Sequence, residues 1–249
     1  MIKDLDPRIW TMHWGRTFRV SNFQQLLQTP GFFLQRREED TTHQVSIFTT
    51  ADNATCVVCV NSDIYERAMN QARLRNPIRD LQGMREFLKK IGFRLDRPDR
   101  FFYANEMEFR PKPIPQGVVV RPLKESDQFA FEEMTHATSK EDLEAGFVEL
   151  DHTLVFGAFI HEKMVSRASA FAFDQEEWIF DVGYVTHPDY RNQGFGAMCA
   201  SELTKQVFAM NKIPQIRVEP QRKASLQVAH TLGYPFFGTW EYDEAEQDE

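Results

Sequence analysis

One segment of this chain groups residue types whose spacing can do chemistry: Asp181-Val-Gly-Tyr-Val-Thr-His-Pro-Asp-Tyr-Arg-Asn-Gln-Gly-Phe-Gly196. Trp178 to Val185 is rich in aromatic and β-branched residues and predicts a strand. A loop with Gly194 and Gly196 follows, and then Ala197, Ala200, Leu203, Val207 and Met210 recur at helical spacing. The first amides of a helix are unpaired donors, glycine lets an anion come close to them, and the helix dipole adds positive potential. The segment therefore suits a diphosphate. A Walker loop would end in Gly-Lys-Ser/Thr, but Ala197-Met198 follows Gly196. A dinucleotide fingerprint needs a third small residue where Cys199 stands, and Phe195 is too bulky for it.

The acid nearest this loop is Asp181. Strand alternation places it on one face with Ile179, Gly183 and Val185, a partly apolar setting that raises a carboxyl pKa. Two roles stay open for it, general base and a structural hydrogen-bond acceptor. Glu219 is the reserve acid, with a solvated strand end as its plainer explanation. Cys56 and Cys59 have redox-motif spacing, but an offset of three on a strand points them to opposite faces. With only Cys199 besides, no zinc set is expected.

The elements that must position the loop read as mixed α/β. Strands are expected at Val118–Val120, Leu154–Ile160, Val165–Phe173, around Ile216–Val218 and at Phe236–Tyr242, with a turn over 174–177. Helices are expected after Ser126 as a cap and at Leu226–Leu232, the latter closed by Gly233. The three prolines of Arg110-Pro-Lys-Pro-Ile-Pro-Gln-Gly117 predict a linker, hence domains at 1–110 and 117–249. In the first, Thr55–Val60 predicts a strand. Asp63 with Glu66 predicts a capping box, and Leu81, Met84, Leu88 and Ile91 predict a helix face.

Composition bounds the function. Of 249 residues, 42% are hydrophobic and 27% charged, as in a globular protein. The net charge is −8, which argues against nucleic acid as partner. Residues 1–110 hold 17 basic and 14 acidic side chains, whereas 111–249 hold 12 and 23, so the second half suits a cationic substrate. The acids from Glu241 to Glu249 read as a solvated tail. Three cysteines fit a reducing compartment, and residues 1–15 lack the apolar run of a signal peptide. A cytoplasmic protein without membrane contact is expected.

The pattern Arg191-x-x-Gly194-x-Gly196, after a strand ending Val185-Thr186-His187-Pro188, resembles the pyrophosphate loop of the GNAT superfamily of acyl-CoA-dependent N-acetyltransferases. The resemblance extends to the element order over most of 117–249, to Val118–Asp127 and to Ser225-Leu-Gln-Val-Ala-His-Thr-Leu-Gly-Tyr234. It implies an α/β (α+β) GNAT fold, a central mixed sheet flanked by helices, beside a smaller N-terminal α/β domain that shapes the acceptor pocket. It implies acetyl-CoA as acyl donor, no metal, and a small-molecule or protein amine as acceptor. It places the pantetheine arm on Tyr184, Val185 and Thr186. The diphosphate falls on Arg191, Asn192, Gln193, Gly194, Phe195, Gly196 and Ala197, with Ser225 opening a later helix. Asp181 stands where many members keep the general base.

The sequence departs from the family pattern at two places. Arg222 replaces a frequent asparagine, and Ala229 replaces the tyrosine that protonates the leaving thiolate. An acyl-CoA-binding pseudoenzyme or sensor is therefore the alternative reading. An extra N-terminal domain resembles the zwittermicin-resistance-like subgroup. Leu88–Phe93 followed by Phe101-Phe102-Tyr103 echoes Ala229–Tyr234 followed by Phe236-Phe237. A degenerate GNAT-like half and convergent punctuation both remain open for the first domain.

Overall fold

The computed structural model describes residues 6, 9–37, 43–73, 77–173 and 178–243, so the turn expected over 174–177 and the acids beyond Asp243 lie outside the described residues. The chain forms two units, Met1–Phe101 with Val218–Gln221 and Phe236–Glu249, and Phe102–Arg217 with Arg222–Pro235.

The first unit begins with a π-helical turn, Ile9–Trp14, and two short helices, α1 (Gly15–Thr17) and α2 (Phe23–Leu27). Three strands follow, β1 (Gly31–Arg36), β2 (Val45–Thr50) and β3 (Thr55–Val60), then α3 (Ser62–Arg73) and α4 (Leu81–Lys90). β3 pairs parallel with β1 and antiparallel with β2. The expected capping box at Asp63 is replaced by Asn61, whose side chain accepts from the Ile64 amide. Asp80 caps α4 through the Gly83 amide. Both faces of β2 and β3 are covered, which makes the near-continuous apolar run of β3 intelligible. Cys56 and Cys59 are both buried, and burial pushes their thiols up, to about 11 and about 12. They are packing residues. The chain leaves this unit in β4 (Asp99–Tyr103).

The second unit holds β5 (Val118–Pro122), α5 (Gln128–Ala137), α6 (Lys140–Gly146), β6 (Leu154–Ile160), β7 (Lys163–Ala172), β8 (Ile179–Thr186), α7 (Phe195–Ala209), β9 (Ile213–Val218) and α8 (Lys223–Thr231). Its strands run β9-β8-β7-β6-β5. β5 to β8 are antiparallel neighbours, and β8 and β9 are parallel. This is the mixed sheet expected. Phe131, Met134, Val148, Phe159, Met164 and Val185 form a core on the α5 side. Ser126 is not the cap before α5: Asp127 accepts from the Lys124 amide at 2.8 Å and holds Arg121 at 2.6 and 2.8 Å.

The proline-rich segment is not a free linker. Arg110 donates its amide to Leu232 O and Lys112 to Ser201 Oγ, each at 2.9 Å, so the segment is fastened to the second unit. The crossing lies earlier, at Phe101/Phe102. The chain then returns to the first unit as β10 (Phe236–Tyr242), antiparallel to β2. A contiguous division cannot register a strand that pairs across nearly 200 residues. The acidic end is likewise no solvated tail at its start. Glu241 is buried and bound by Arg85, and Asp243 accepts the Gln44 and Val45 amides at 3.1 and 2.9 Å.

Candidate active site

β8 and β9 pair only through Ile179↔Ile213, Phe180↔Pro214 and Asp181↔Gln215. Beyond Asp181 they part, so Val182 to Thr186 have no ladder on that edge. Tyr184, Val185 and Thr186 lie in this opened stretch. The chain leaves the strand through His187, whose Nδ1 accepts the Asp189 amide at 3.2 Å and caps a single turn, Pro188–Tyr190. His187 thus serves the turn. Asn192 and Gly194 then take φ of 61° and 85°, and Gly194 starts α7.

The glycines serve different needs. At Gly194 the backbone itself demands glycine, and a Cβ would meet only ordinary contacts, Lys112 Cε at 3.6 Å and Met198 Cε at 3.8 Å. At Gly196 the space is short: a Cβ would lie 2.9 Å from Thr186 Oγ1 and 3.4 Å from Tyr184 Cδ2. The loop is thus seated on the end of β8. Tyr184 Oη donates to Ser225 O at 3.1 Å, which joins strand and α8. The structure therefore brings together Tyr184, Thr186, Gly196 and Ser225. Asn192 and Gln193 are exposed at the turn, while Phe195 and Ala197 are buried in the helix packing.

Two arginines border this loop and are tied to α6, an element the sequence reading had not placed. Arg191 Nη2 lies 2.9 Å from Asp142 Oδ2, and Arg222 Nη1 lies 3.3 Å from Asp142 Oδ1. Arg222 Nη2 also donates to Glu141 O at 3.1 Å. Where the family often has an asparagine, this chain thus anchors α8 to α6. Asp142 is held below the usual carboxylate range, first by the Ser139 hydroxyl and then by Arg191 and Arg222.

Asp181 is buried on the opposite face of β8 from Tyr184 and Thr186. Gln215 Nε2 donates to its Oδ1 at 3.3 Å, and Arg217 Nε stands 3.8 Å from its Oδ2. Burial raises its carboxyl above the ordinary range, with Arg217 and Gln215 opposing. Beside it, a Cβ on Gly183 would collide with Gly146 O, and one on Gly146 with the Val185 side chain. Two glycines therefore let the end of α6 rest directly on β8. This contact carries Phe147, at the unusual φ of 42°, to the same face.

There the rings of Phe147, His152 and Phe171 meet, with centroids 5.1 Å (Phe147–His152), 5.2 Å (Phe147–Phe171) and 4.5 Å (His152–Phe171) apart. His152 Nδ1 is 2.7 Å from Ser169 Oγ. Sequence reasoning missed His152 because Ser169 and Phe171 reach it only through the pairing of β6 with β7. Ala229 is buried, and Tyr234 Oη is taken by Thr204 Oγ1 at 2.6 Å. His230 is exposed and packs edge-on to Phe102. Glu219 binds the Gln221 amide beyond the strand end. Among the described residues no cluster of three or more His, Cys, Asp or Glu side chains is arranged for a metal.

A family model, "GNAT acetyltransferase", matches residues 78–242. The chain belongs to this family. Among solved structures, a GCN5-related N-acetyltransferase from Kribbella flavida matches at 18% identity and TM-score 0.47, covering 65% of this chain and 63% of that one. A GNAT acetyltransferase from Colwellia psychrerythraea matches at 13% identity and TM-score 0.49, covering 66% and 62%. This chain thus spans less than two thirds of either. A Salmonella typhimurium structure described with its cofactor acetyl-CoA matches at 16% and TM-score 0.39, covering 54% and 96%. No curated protein matches.

Proposed function

We propose that this chain is an N-acetyltransferase that moves an acetyl group from acetyl-CoA to the amine of a small molecule or protein by direct attack. The observation that carries the reading is β8 leaving β9 at Asp181 and then ending in a glycine turn that caps α7. The parted edge offers the unladdered backbone groups of Val182, Tyr184 and Thr186 to an extended amide-bearing arm. The start of α7 at Phe195, Gly196 and Ala197 offers amides to a diphosphate, with Arg191 and Lys112 as nearby cations. Gly196 against Thr186 is a cradle that any Cβ would fill.

On this reading a backbone amide next to Val185, on the open edge, polarises the thioester carbonyl, as electrostatic stabilisation of a developing oxyanion requires. An ammonium must lose a proton before it can attack, since an amine of the lysine type has a pKa of about 10.4. Asp181 supplies the negative charge that draws and orients that ammonium on the far face of β8. The test is calorimetric titration with acetyl-CoA, followed by thiol release in the presence of an amine panel. Binding with amine-dependent release supports the reading; binding without release for any amine leaves only a sensor.

A further inference from the structure

We propose that His152 is the group that takes the proton from the acceptor amine, in a subsite walled by Phe147 and Phe171 and charged by Asp181. The assignment rests on the acyl-transfer reading and adds the acceptor's site and class to it.

The geometry carries it. The imidazole is clamped at one nitrogen, with Nδ1 2.7 Å from the Ser169 hydroxyl and 3.5 Å from the Glu149 amide. The Ser169 hydroxyl donates onward to Phe147 O at 3.5 Å and so accepts from Nδ1–H; with the Glu149 amide at the outer limit of hydrogen bonding, Nε2 is the unprotonated nitrogen of the neutral ring. Nε2 makes no hydrogen bond with the described residues. Beside that wall the ring borders a cavity of ≈ 520 Å³ whose lining mixes Lys124, Glu125 and Gln128 with Leu123, Leu150 and Val155, so a molecule can reach it. Phe147 takes φ 42° as the left-handed C-cap of α6, and that cap turns its ring into the aromatic wall.

The surrounding charges fit the role. Glu149 and Asp151 flank His152 on its own loop, Asp181 faces it from β8, and Arg217 on β9 stands against Asp181. β7 presents Ser169, Phe171 and Arg167, whose Nη1 is taken by Phe131 O and Thr135 Oγ1. Burial lowers the His152 pKa from its ordinary value more than the three acids raise it. The ring is therefore neutral at pH 7 and able to accept a proton. Acids beside aromatic faces attract an ammonium carried on an apolar body.

The step balances. His152 takes one proton from R–NH3+, and the freed lone pair forms the N–C bond to the acyl carbon of the thioester. The C–S bond breaks, the second nitrogen proton ends on the departing sulfur, and His152 returns its proton to solvent. One proton is released per turnover.

The test uses the full chain with acetyl-CoA and four amines: 2-phenylethylamine, tyramine, spermidine and a lysine-containing tripeptide. We expect the aryl amines to give the higher kcat/KM and His152→Gln to lower kcat by roughly 10²–10⁴. Acetyl-CoA affinity and melting temperature should be unchanged. In the wild type kcat/KM should rise with pH through an inflection below the usual histidine range, and the variant should lose that rise. His152→Ala should regain turnover when imidazole is added, which a merely structural role would not allow. Turnover in His152→Gln equal to wild type, or no imidazole rescue, overturns this assignment alone. Spermidine as the better substrate overturns the aromatic subsite. A wild-type chain that releases thiol with none of the four overturns the transfer reading and this assignment together. A ring titration by NMR that finds His152 protonated at pH 7 overturns it whatever the turnover.

Discussion

Burial disfavours the charged form of a carboxyl, and Asp181 is buried with its pKa raised by that cause. Its folded pKa is raised, so between the unfolded value and the folded value the native state holds the extra proton and stability falls as pH rises. Above the folded value the penalty is complete. Asp181→Asn should therefore raise the melting temperature at pH 7 by a few degrees. That gain should vanish as the pH drops below the ordinary Asp range. The same change should raise the acceptor KM about tenfold, near 1.4 kcal/mol of lost attraction, and leave acetyl-CoA affinity alone. A variant that is less stable at pH 7 would make Asp181 a structural acceptor for Gln215 and Arg217. Asp127 shows the opposite sign. Arg121 holds its carboxyl down to about 2, so the pair stabilises above the unfolded value and is lost as pH falls through about 2. Asp127→Asn should lower the melting temperature at pH 7, and the difference should close toward pH 2 in thermal scans. The loop and Asp181 were legible in the sequence because glycine, proline and strand alternation are local signals. His152 and Asp142 were not, since Ser169 and Arg191, which tie them to the site, are 17 and 49 residues away and are brought in by sheet pairing and helix packing.

At the scale of elements, the site depends on how closely α6 and α7 approach β8. Gly146 and Gly183 share one contact, and adding a methyl to either must push the helix end away. Gly183→Ala should cost about 1–3 kcal/mol, the usual price of overpacking, and should lower turnover with amines more than acetyl-CoA binding, because Phe147 moves with α6. Denaturant midpoints and the two kinetic constants distinguish these effects. Gly194→Glu acts on the other face. It imposes a φ of 85° on a residue with a Cβ, at about 1–2 kcal/mol, and sets a carboxylate at the start of α7. Acetyl-CoA binding should be lost by calorimetry in a chain that remains folded by circular dichroism. Most strands in the second unit were legible to within a residue or two, because their buried runs are bounded by turns. β1 and β2 were not: β1 is half-buried without clean alternation, and β2 mixes polar Ser46, Thr49 and Thr50 into a fully buried strand.

At the scale of the molecule, no helix among the described residues is long and apolar enough to cross a membrane. The division of the chain is the feature least visible in the sequence. Prolines marked a boundary at 110–117, yet that segment is bonded to Leu232 and Ser201, and β10 belongs with β2. The first unit holds an aromatic core in which Trp14 meets Phe48, Phe101, Phe237 and Trp240 at centroid distances of 4.8, 4.9, 6.2 and 5.7 Å. Two of these rings arrive only with β10. Two shortened chains therefore separate the readings. One beginning at Gly117 loses the anchoring of Arg110 and Lys112, and it keeps β10 without β2, exposing Phe237, Trp240 and an open strand edge. It should aggregate, since unpaired apolar edges template association. One running from Phe102 to Pro235 keeps every hydrogen bond that fastens the proline segment and carries no orphan strand. It should be monomeric by size-exclusion chromatography and bind acetyl-CoA within about tenfold of the full chain, because Tyr184, Arg191, Gly194, Gly196 and Ser225 all lie inside it. A monomeric, well-folded chain from Gly117 would restore the proline segment as a true boundary. A folded Phe102–Pro235 chain that binds no acetyl-CoA would show that residues of the first unit complete the donor site.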